Sequence, residues 1–238
     1  MRLVDHSMTT PEHNLALDEA LFELCQEQGI SCLRFWEPAG VFVVLGYTNR
    51  AGREVRLEKC RARSIPVLRR MTGGGTVLQA PGVLNYTLVL PLPGAGPLST
   101  ITGTNRYVLE RHSRALAMLL PRPPLRQGDT DLAIDGRKVS GNAQKRGRGA
   151  LLFHGTFLLT VDLTLVEELL PMPSHEPAYR SGRPHGDFLQ NLSLEPARVK
   201  EALRTEWQAD TAGQPIPAER LERLIRLHYG NPTWNFRR

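Results

Sequence analysis

The chain has 238 residues, of which 41% are hydrophobic and 23% charged, and these proportions are ordinary for a globular protein. Its longest apolar run, near residues 41–45, is far too short to span a bilayer, and the first twenty residues contain no apolar signal core, so a cytoplasmic protein without a membrane partner is predicted. The net charge of +6 favours acidic or phosphorylated partners. Aromatic residues make up only 6%, with no basic stripe between them, so nucleic acid is not the expected ligand.

The N-terminal part of the chain is predicted to hold one helix followed by two strands. Leucines repeat at helical spacing within residues 14–28, and Gly29 can end that helix. The strands are expected at residues 32–36 and 41–46, on either side of a turn that contains proline and glycine.

Three consecutive glycines, Gly73, Gly74 and Gly75, follow the arginine pair Arg69 and Arg70 and separate two predicted strands. Glycine loses more conformational freedom on folding than any other residue, so such a run is tolerated where backbone must approach a ligand or adopt a positive φ. The fixed charge of the arginines indicates an anionic ligand. The alternative is a glycine hairpin beside solvent-exposed arginines.

The centre of the chain is predicted to hold a strand at residues 83–91, a core-facing helix at 107–120 and a hairpin that turns at Asp135 and Gly136. Lys138 of this hairpin is followed by a Ser-Gly pair, and its compact charge could lie over a phosphate or a developing oxyanion. Position in a hairpin alone favours a solvated surface lysine instead.

After residue 149 the pattern indicates a strand at 150–161 and then helices at 163–170, 196–207 and 217–229. Helices and strands are segregated rather than alternating, which predicts an α+β fold with a mainly antiparallel sheet flanked by helices. A chain of this length can bury one sizeable core, so a single catalytic domain over 1–238 is expected.

The region 171–192 is rich in proline and histidine and is expected to wrap the surface. Its basic, glycine-containing part, residues 179–185, is interpreted either as a surface loop or as a segment that closes over a ligand or meets an acidic partner.

The cysteines show neither metal spacing nor a disulfide framework, and the histidines are scattered. Cys25, Cys32 and Cys60 are each predicted to be structural, because none lies in an electropositive, accessible setting.

Four stretches, taken together, are specific: residues 70–77 with 85–87, then 131–132, then Gly-Arg-Lys-Val-Ser-Gly-Asn-Ala at 136–143, then His-Gly-Thr at 154–156. In order and separation they resemble the lipoate-protein ligases of the biotin/lipoate protein ligase superfamily, over nearly the whole chain. The resemblance implies a catalytic domain akin to class II synthetase cores. Such a domain activates lipoate with ATP to lipoyl-AMP and transfers the lipoyl group to a lysine of an acceptor domain.

The resemblance also implies the site. Lys138 would hold the α-phosphate and the acyl carbonyl oxygen, and Asp131 would orient Lys138 or bind Mg²⁺. Val77 would lie near the adenine, and His154 would line the lipoyl tunnel. The substrate- and ATP-binding residues that it implies are Arg70, Thr72, Gly73, Gly74, Gly75, Thr76, Val77, Asn85, Ser140, Gly141, His154, Gly155 and Thr156.

The implied cofactors are ATP and Mg²⁺, with lipoate as the substrate. The implied partner is a lipoyl acceptor domain of the kind found in a 2-oxoacid dehydrogenase acyltransferase or the glycine cleavage H protein.

Two features depart from the family pattern. Gln79-Ala80 stands where a His-Asp pair is usual, which alters the acyl pocket or the acceptor contact. The sequence also leaves no room for the C-terminal accessory domain of bacterial ligases, so a separate accessory subunit is an open expectation.

Two other interpretations stay open. Related octanoyltransferases use a cysteine nucleophile and a preformed acyl donor, but residues 128–132 contain no thiol, which favours the ATP-dependent ligase. The second is a non-enzymatic lipoate- or nucleotide-binding module. Retention of both Arg70 and Lys138, with no helix-turn-helix pattern before residue 30, favours catalysis.

Overall fold

The structure is a computed structural model that describes residues 1–92 and 94–237. Pro93 and Arg238, both within the predicted domain 1–238, lie outside the described residues. The strands are β1 (Arg2–Asp5), β2 (Cys32–Trp36), β3 (Phe42–Leu45), β4 (Val67–Arg69), β5 (Val77–Gln79), β6 (Val83–Pro91), β7 (Leu125–Gln127), β8 (Asp131–Ile134), β9 (Arg137–Arg146), β10 (Ala150–Leu158) and β11 (Thr211–Ala212).

The helices are α1 (Pro11–Gln28), α2 (Ala51–Glu54), α3 (Leu57–Ala62), α4 (Ile101–Ala117), α5 (Thr164–Leu169), α6 (His185–Phe188), α7 (Pro196–Trp207), α8 (Ala218–Leu224) and α9 (Pro232–Asn235). A π-helical turn, Ile225–Tyr229, continues α8. Within residues 1–92 and 94–237, none of these helices combines the length and the apolar character that crossing a bilayer requires.

The strands form two sheets. The large sheet has eight strands in the order β11-β1-β2-β6-β10-β9-β8-β7, and the small one has three in the order β4-β3-β5. In the large sheet β1 pairs in parallel with β2 and β11, and the other neighbours pair antiparallel. The prediction of an α+β fold with a mainly antiparallel sheet flanked by helices is confirmed.

The two faces of the large sheet have different partners, because successive side chains of a strand point to opposite faces. One face carries Leu88 and Phe157 and packs against α4 and α7. The other face carries Trp36 and Leu152 and packs against α1, which supplies a second apolar cluster. The candidate site lies on this second face.

Most predicted elements are found close to their expected positions. The hairpin turn has positive φ at Asp135 (49°) and Gly136 (75°), as a tight Asp-Gly turn requires. The helix predicted to start at residue 107 begins at Ile101 instead, because the Thr100 side chain accepts a hydrogen bond from the Gly103 backbone N–H and caps it there. The strand predicted to reach residue 161 ends at Leu158. Short strands β1, β5, β7 and β11 were not predicted.

Arg69 fastens the C-terminal segment to the loops beside the glycine run. Its guanidinium, which is completely buried, donates hydrogen bonds of 2.7–3.2 Å to the backbone carbonyls of Gly46, Tyr47, Asn49, Trp234, Asn235 and Arg237. The Trp234 indole N–H donates in return to the Arg69 carbonyl at 2.9 Å. The interpretation of this arginine as a contact for an anionic ligand is therefore wrong: its donors are used within the fold.

His112 of α4 should make stability depend on pH. It is buried among the rings of Tyr86, Phe157 and Trp207, and burial, with the neighbouring Arg111, lowers the pKa of His112 to about 3. The unfolded chain takes up a proton on this side chain below about pH 6.5, whereas the folded protein does not. Above about pH 6.5 His112 is neutral in both states, and its protonation does not favour the unfolded chain. The free energy of unfolding should then fall by about 1.4 kcal/mol per pH unit from pH 6.5 towards pH 3.

Urea unfolding at pH 7 and pH 5 measures this dependence. The variant His112→Phe should lose part of the slope, because it has no group to protonate. An identical slope in the variant would show that other groups cause the acid sensitivity.

Candidate active site

A cavity of about 450 Å³ lies between the second face of the large sheet, the small sheet and α1. The predicted site residues that line it are Arg70, Gly74, Gly75, Thr76, Val77, Asn85, Asp131, Lys138, Gly141, His154, Gly155 and Thr156. The predicted residues Thr72, Gly73 and Ser140 are not among its lining side chains, although each contacts a residue that is. The region 171–192 covers one side of the cavity through Pro173, Arg180 and His185, so its description as a surface wrap was incomplete.

The register of the large sheet arranges the cavity floor in two rows. One row runs across five strands through Trp36, Asn85, Thr156, Gly141 and Asp131. The next row runs through Arg34, Thr87, His154 and Ala143, of which His154 and Ala143 line the cavity and the other two are buried beside it. Motifs far apart in sequence thus become neighbours about 4.8 Å apart, the spacing of adjacent strands.

A β-bulge brings Lys138 to the cavity. The register shifts between Leu132 and Ala133, which pair with Ser140 and Lys138, so Val139 is an extra residue of β9. An extra residue inverts the alternation of side chains, and this turns Val139 into the core beneath α4 and Lys138 to the opposite face. The bulge could not be inferred from the hydrophobic pattern.

The Lys138 amine lies over Gly141 and pairs with Asp131. Its Nζ is 2.8 Å from Asp131 Oδ1. A Cβ atom at position 141 would lie 2.7 Å from that Nζ, so only glycine leaves room for the amine in this position. The Ser-Gly signal in the sequence therefore has a structural reason.

Tyr179 forms a hydrogen bond with the second carboxylate oxygen of Asp131. Its hydroxyl donates to Oδ2 at 2.9 Å, and burial together with the Asp131 charge raises the pKa of the Tyr179 phenol, so it stays a donor. Both oxygens of Asp131 are thus engaged, and the described part of the chain holds no group of three histidine, cysteine or acidic side chains that could bind a metal. The residues present do not fit a resident Mg²⁺ site, and the role of Asp131 as a magnesium ligand stays a prediction.

Arg70 supports the glycine loop from beneath. Its Nη2 donates to the carbonyls of Gly73 (2.6 Å) and Gly75 (2.8 Å), and its Nε donates to Thr72 Oγ1 (2.8 Å). Gly74 between them has φ +85°, which favours glycine. Burial lowers the pKa of Arg70 to about 10, which leaves it charged at neutral pH. No carboxylate of the described residues pairs with it, so its charge remains available to an anion in the cavity.

A buried polar chain continues from the loop into the fold. Thr72 Oγ1 is 2.7 Å from His154 Nε2, and His154 Nδ1 is 3.5 Å from Asp18 Oδ2. Asp18 Oδ1 accepts from Arg34 Nη1 at 2.5 Å. Burial lowers the pKa of His154, although Asp18 opposes this. Burial raises the pKa of Asp18, but Arg34 and His154 together outweigh that effect and keep it below its ordinary value.

Sequence reasoning missed Asp18 and Arg34. A signal was present, since Asn14 and Asp18 are polar residues one helical turn apart within the otherwise apolar face of α1. Arg34 also interrupts a strand of apolar residues.

Asn142, a residue of the motif at 136–143, lines the cavity although the sequence did not predict it as a site residue. Its Oδ1 accepts from the Tyr86 hydroxyl at 2.5 Å, and its Nδ2 donates to the Thr130 carbonyl at 2.7 Å and to Ser140 Oγ at 3.2 Å. A Cβ at position 155 would lie 1.8 Å from Asn142 Oδ1, which explains Gly155. Ser140 therefore supports Asn142 rather than facing the cavity.

The three cysteines are free, buried and absent from the cavity lining. Burial raises the pKa of Cys25 to about 11 and that of Cys32 to about 12, and it also raises the pKa of Cys60. Thiols of this kind are poor nucleophiles because the thiolate form is scarce.

Comparison with known proteins gives the family. Residues 10–205 match the lipoyl protein ligase A/B catalytic domain. A putative lipoate-protein ligase A of Aeropyrum pernix is 33% identical over 161 residues, which are 68% of this chain and 58% of that protein. The octanoyltransferase LipM of Brevibacillus brevis is 27% identical over 96% of each chain.

Solved structures extend the match to the fold. A bi-partite lipoate protein ligase from Thermoplasma acidophilum, studied with its E2 lipoyl domain, superposes with a TM-score of 0.81 at 26% identity, over 99% of this chain and 95% of that one. A lipoate-protein ligase A bound with ATP gives 0.77 at 25% identity, over 99% and 98%. The chain therefore belongs to the lipoyl protein ligase A/B catalytic domain family and is an enzyme of the lipoate ligase and transferase class.

Proposed function

We propose that this enzyme is an ATP-dependent lipoate-protein ligase, which forms lipoyl-AMP and transfers the lipoyl group to a lysine of an acceptor domain. The observation that carries the proposal is a cavity lined by cations and without a thiol: Lys138 and Arg70 line it, whereas every cysteine is buried elsewhere. An acyltransferase that forms a thioester on the enzyme needs a reactive thiolate. Octanoyl transfer from a preformed acyl donor is the second candidate function, because octanoyltransferases are among the relatives of this chain.

The chemistry requires charge stabilisation more than a nucleophile from the protein. In the first step a carboxylate oxygen attacks the α-phosphorus of ATP and pyrophosphate leaves. Lys138 and Arg70 would reduce the repulsion between the two anions. In the second step the acceptor amine attacks the acyl carbonyl, AMP leaves and the amine loses a proton. Lys138 would then donate to the oxyanion, where preorganised donors act most strongly.

Asp131 is assigned the role of holding Lys138 over Gly141. The loop of Gly73, Gly74 and Gly75 would border the phosphates, with Val77 near the adenine. These roles are supported by the contacts of the lysine and by the open backbone of the loop.

The proposed protein partners of this enzyme are based on its similarity to a structurally characterised ligase. The Thermoplasma ligase is described as bi-partite and was studied with an E2 lipoyl domain. By similarity, we assign this enzyme a lipoyl acceptor domain as its protein substrate, of the acyltransferase or H-protein kind, and a separate accessory subunit for the adenylation step.

Acceptor mass measured by mass spectrometry tests the function. In the first arm the enzyme is incubated with lipoate, ATP, Mg²⁺ and an apo lipoyl domain. The second arm replaces lipoate and ATP with preformed lipoyl-AMP, and the third replaces them with an acyl carrier protein that bears an octanoyl group. Lipoyl mass is expected in the first or second arm, and alkylation with iodoacetamide should leave the rate unchanged. Transfer confined to the third arm and lost on alkylation would identify a cysteine-dependent octanoyltransferase instead.

Tyr179→Phe should slow lipoyl transfer from lipoyl-AMP about tenfold without changing the melting temperature. The ring still packs on Phe188, but Asp131 loses a donor and binds Lys138 more tightly, and a hydrogen bond to a charged group contributes about 1.5–3 kcal/mol. The matched control is Tyr107→Phe, whose hydroxyl contacts Arg111 on α4, away from the cavity. Single-turnover transfer from preformed lipoyl-AMP measures the rate, and equal rates for both variants would contradict this role.

A further inference from the structure

A reciprocal pair of amides forms part of the cavity wall. Gln79 Nε2 donates to Asn85 Oδ1 and Asn85 Nδ2 donates to Gln79 Oε1, each at 2.8 Å. Both side chains are buried and both line the cavity.

The pair lies at a defined distance from the amine of Lys138. That amine is over Gly141, and from Gly141 the first floor row continues to Thr156 and then to Asn85. Two strand spacings separate Gly141 from Asn85, about 10 Å. An acyl group with its carbonyl at Lys138, as the proposed function requires, and its chain along this row would end at the amide pair.

The row continues to a donor without a partner. Trp36 faces Asn85 across the strand pair and lines the cavity. Its indole Nε1 is buried and has no hydrogen-bond partner among the described residues. After their mutual bonds, the two amides also keep one N–H each. A buried donor that stays unpaired costs about 1–3 kcal/mol, which a ligand acceptor can offset.

We infer that Gln79, Asn85 and Trp36 form a recognition site for the far end of the acyl chain, one that favours a sulfur-containing ring such as the dithiolane of lipoate over the plain alkyl end of octanoate. Sulfur is a weak hydrogen-bond acceptor and makes favourable contacts with aromatic rings, so it suits both the N–H groups and the indole. A site built to hydrogen-bond its substrate rejects an analogue that lacks the bonding group. This inference rests on the proposed role of Lys138.

The test compares binding of lipoate and octanoate to the whole enzyme by calorimetry without ATP. Wild-type enzyme is expected to bind lipoate at least tenfold more tightly. The double variant Gln79→Met with Asn85→Leu replaces both partners by side chains of similar size, which avoids leaving one amide unpaired. The preference of this double variant for lipoate over octanoate should fall to less than threefold.

The chain offers a matched control in a second Gln–Asn contact. Gln144 Nε2 donates to Asn105 Oδ1 at 2.5 Å, between β9 and α4, and neither residue lines the cavity. The variant Gln144→Met with Asn105→Leu should keep the wild-type preference. Wild-type affinities within twofold of each other, or an unchanged preference in the Gln79 and Asn85 variant, would overturn the inference.

Pyrophosphate exchange and transfer from preformed lipoyl-AMP, run on the same samples, separate this result from the proposed function. A tenfold binding preference with no activity in either assay would refute the ligase and leave the tail recognition intact. Activity with equal affinities would refute the tail recognition alone.

Discussion

Replacing Lys138 with alanine is expected to lower lipoyl transfer by about 10²–10³-fold, the usual cost of removing one donor to a developing oxyanion. The expected loss is large because this amine would serve both steps of the reaction. The melting temperature should change little, since the side chain is partly exposed and Asp131 keeps its bond to Tyr179.

Two further variants make the Lys138 test specific. Lys138→Arg retains the charge but carries a wider, planar group over Gly141, and we expect it to restore little activity. Lys59→Ala removes an exposed lysine of α3 and should behave as wild type. Single-turnover transfer from preformed lipoyl-AMP separates the second step from the first. Wild-type rates for Lys138→Ala in both steps would remove the assignment.

Arg69→Met should produce the largest loss of stability, at least about 4 kcal/mol in the free energy of unfolding. The substitution leaves six buried or half-buried carbonyls without the donor they share, and it breaks the connection between the C-terminal segment and the loops beside the glycine run. Urea unfolding measures the change.

The control for Arg69 is Arg61→Ala. Arg61 forms an exposed pair with Glu58 in α3, and such pairs contribute about 0–1 kcal/mol. If Arg69→Met unfolded within 1 kcal/mol of wild type, the C-terminal segment would have to be held by other contacts.

The sequence was most informative where local chemistry decides the structure. The Asp135-Gly136 turn, the end of α1 at Gly29 and the apolar strand before the glycine run each depend on residues within a few positions. The motifs around Lys138 and His154 also identified the family, because their order and separation are specific.

Features set by the tertiary structure could not be predicted. Arg69 and Arg70 are adjacent and chemically identical, yet Arg69, the last residue of β4, binds the C-terminal segment, whereas Arg70, which follows the strand, supports the glycine loop. The region 171–192 has no periodicity, so its position over the cavity depends on long-range contacts such as that of Tyr179 with Asp131.

The single additional residue in β9 has a consequence for how this hairpin can vary. Val139 has no partner on β8, so its presence or absence leaves Ser140 opposite Leu132 and Lys138 opposite Ala133. Removing Val139 would therefore close the bulge and take one apolar side chain from the core beneath α4, while Lys138 would stay opposite Ala133 on the cavity face. A change of one residue at this bulge therefore alters packing beneath α4 and not the direction of the amine, a tolerance of length that comparison of residue identities alone does not detect.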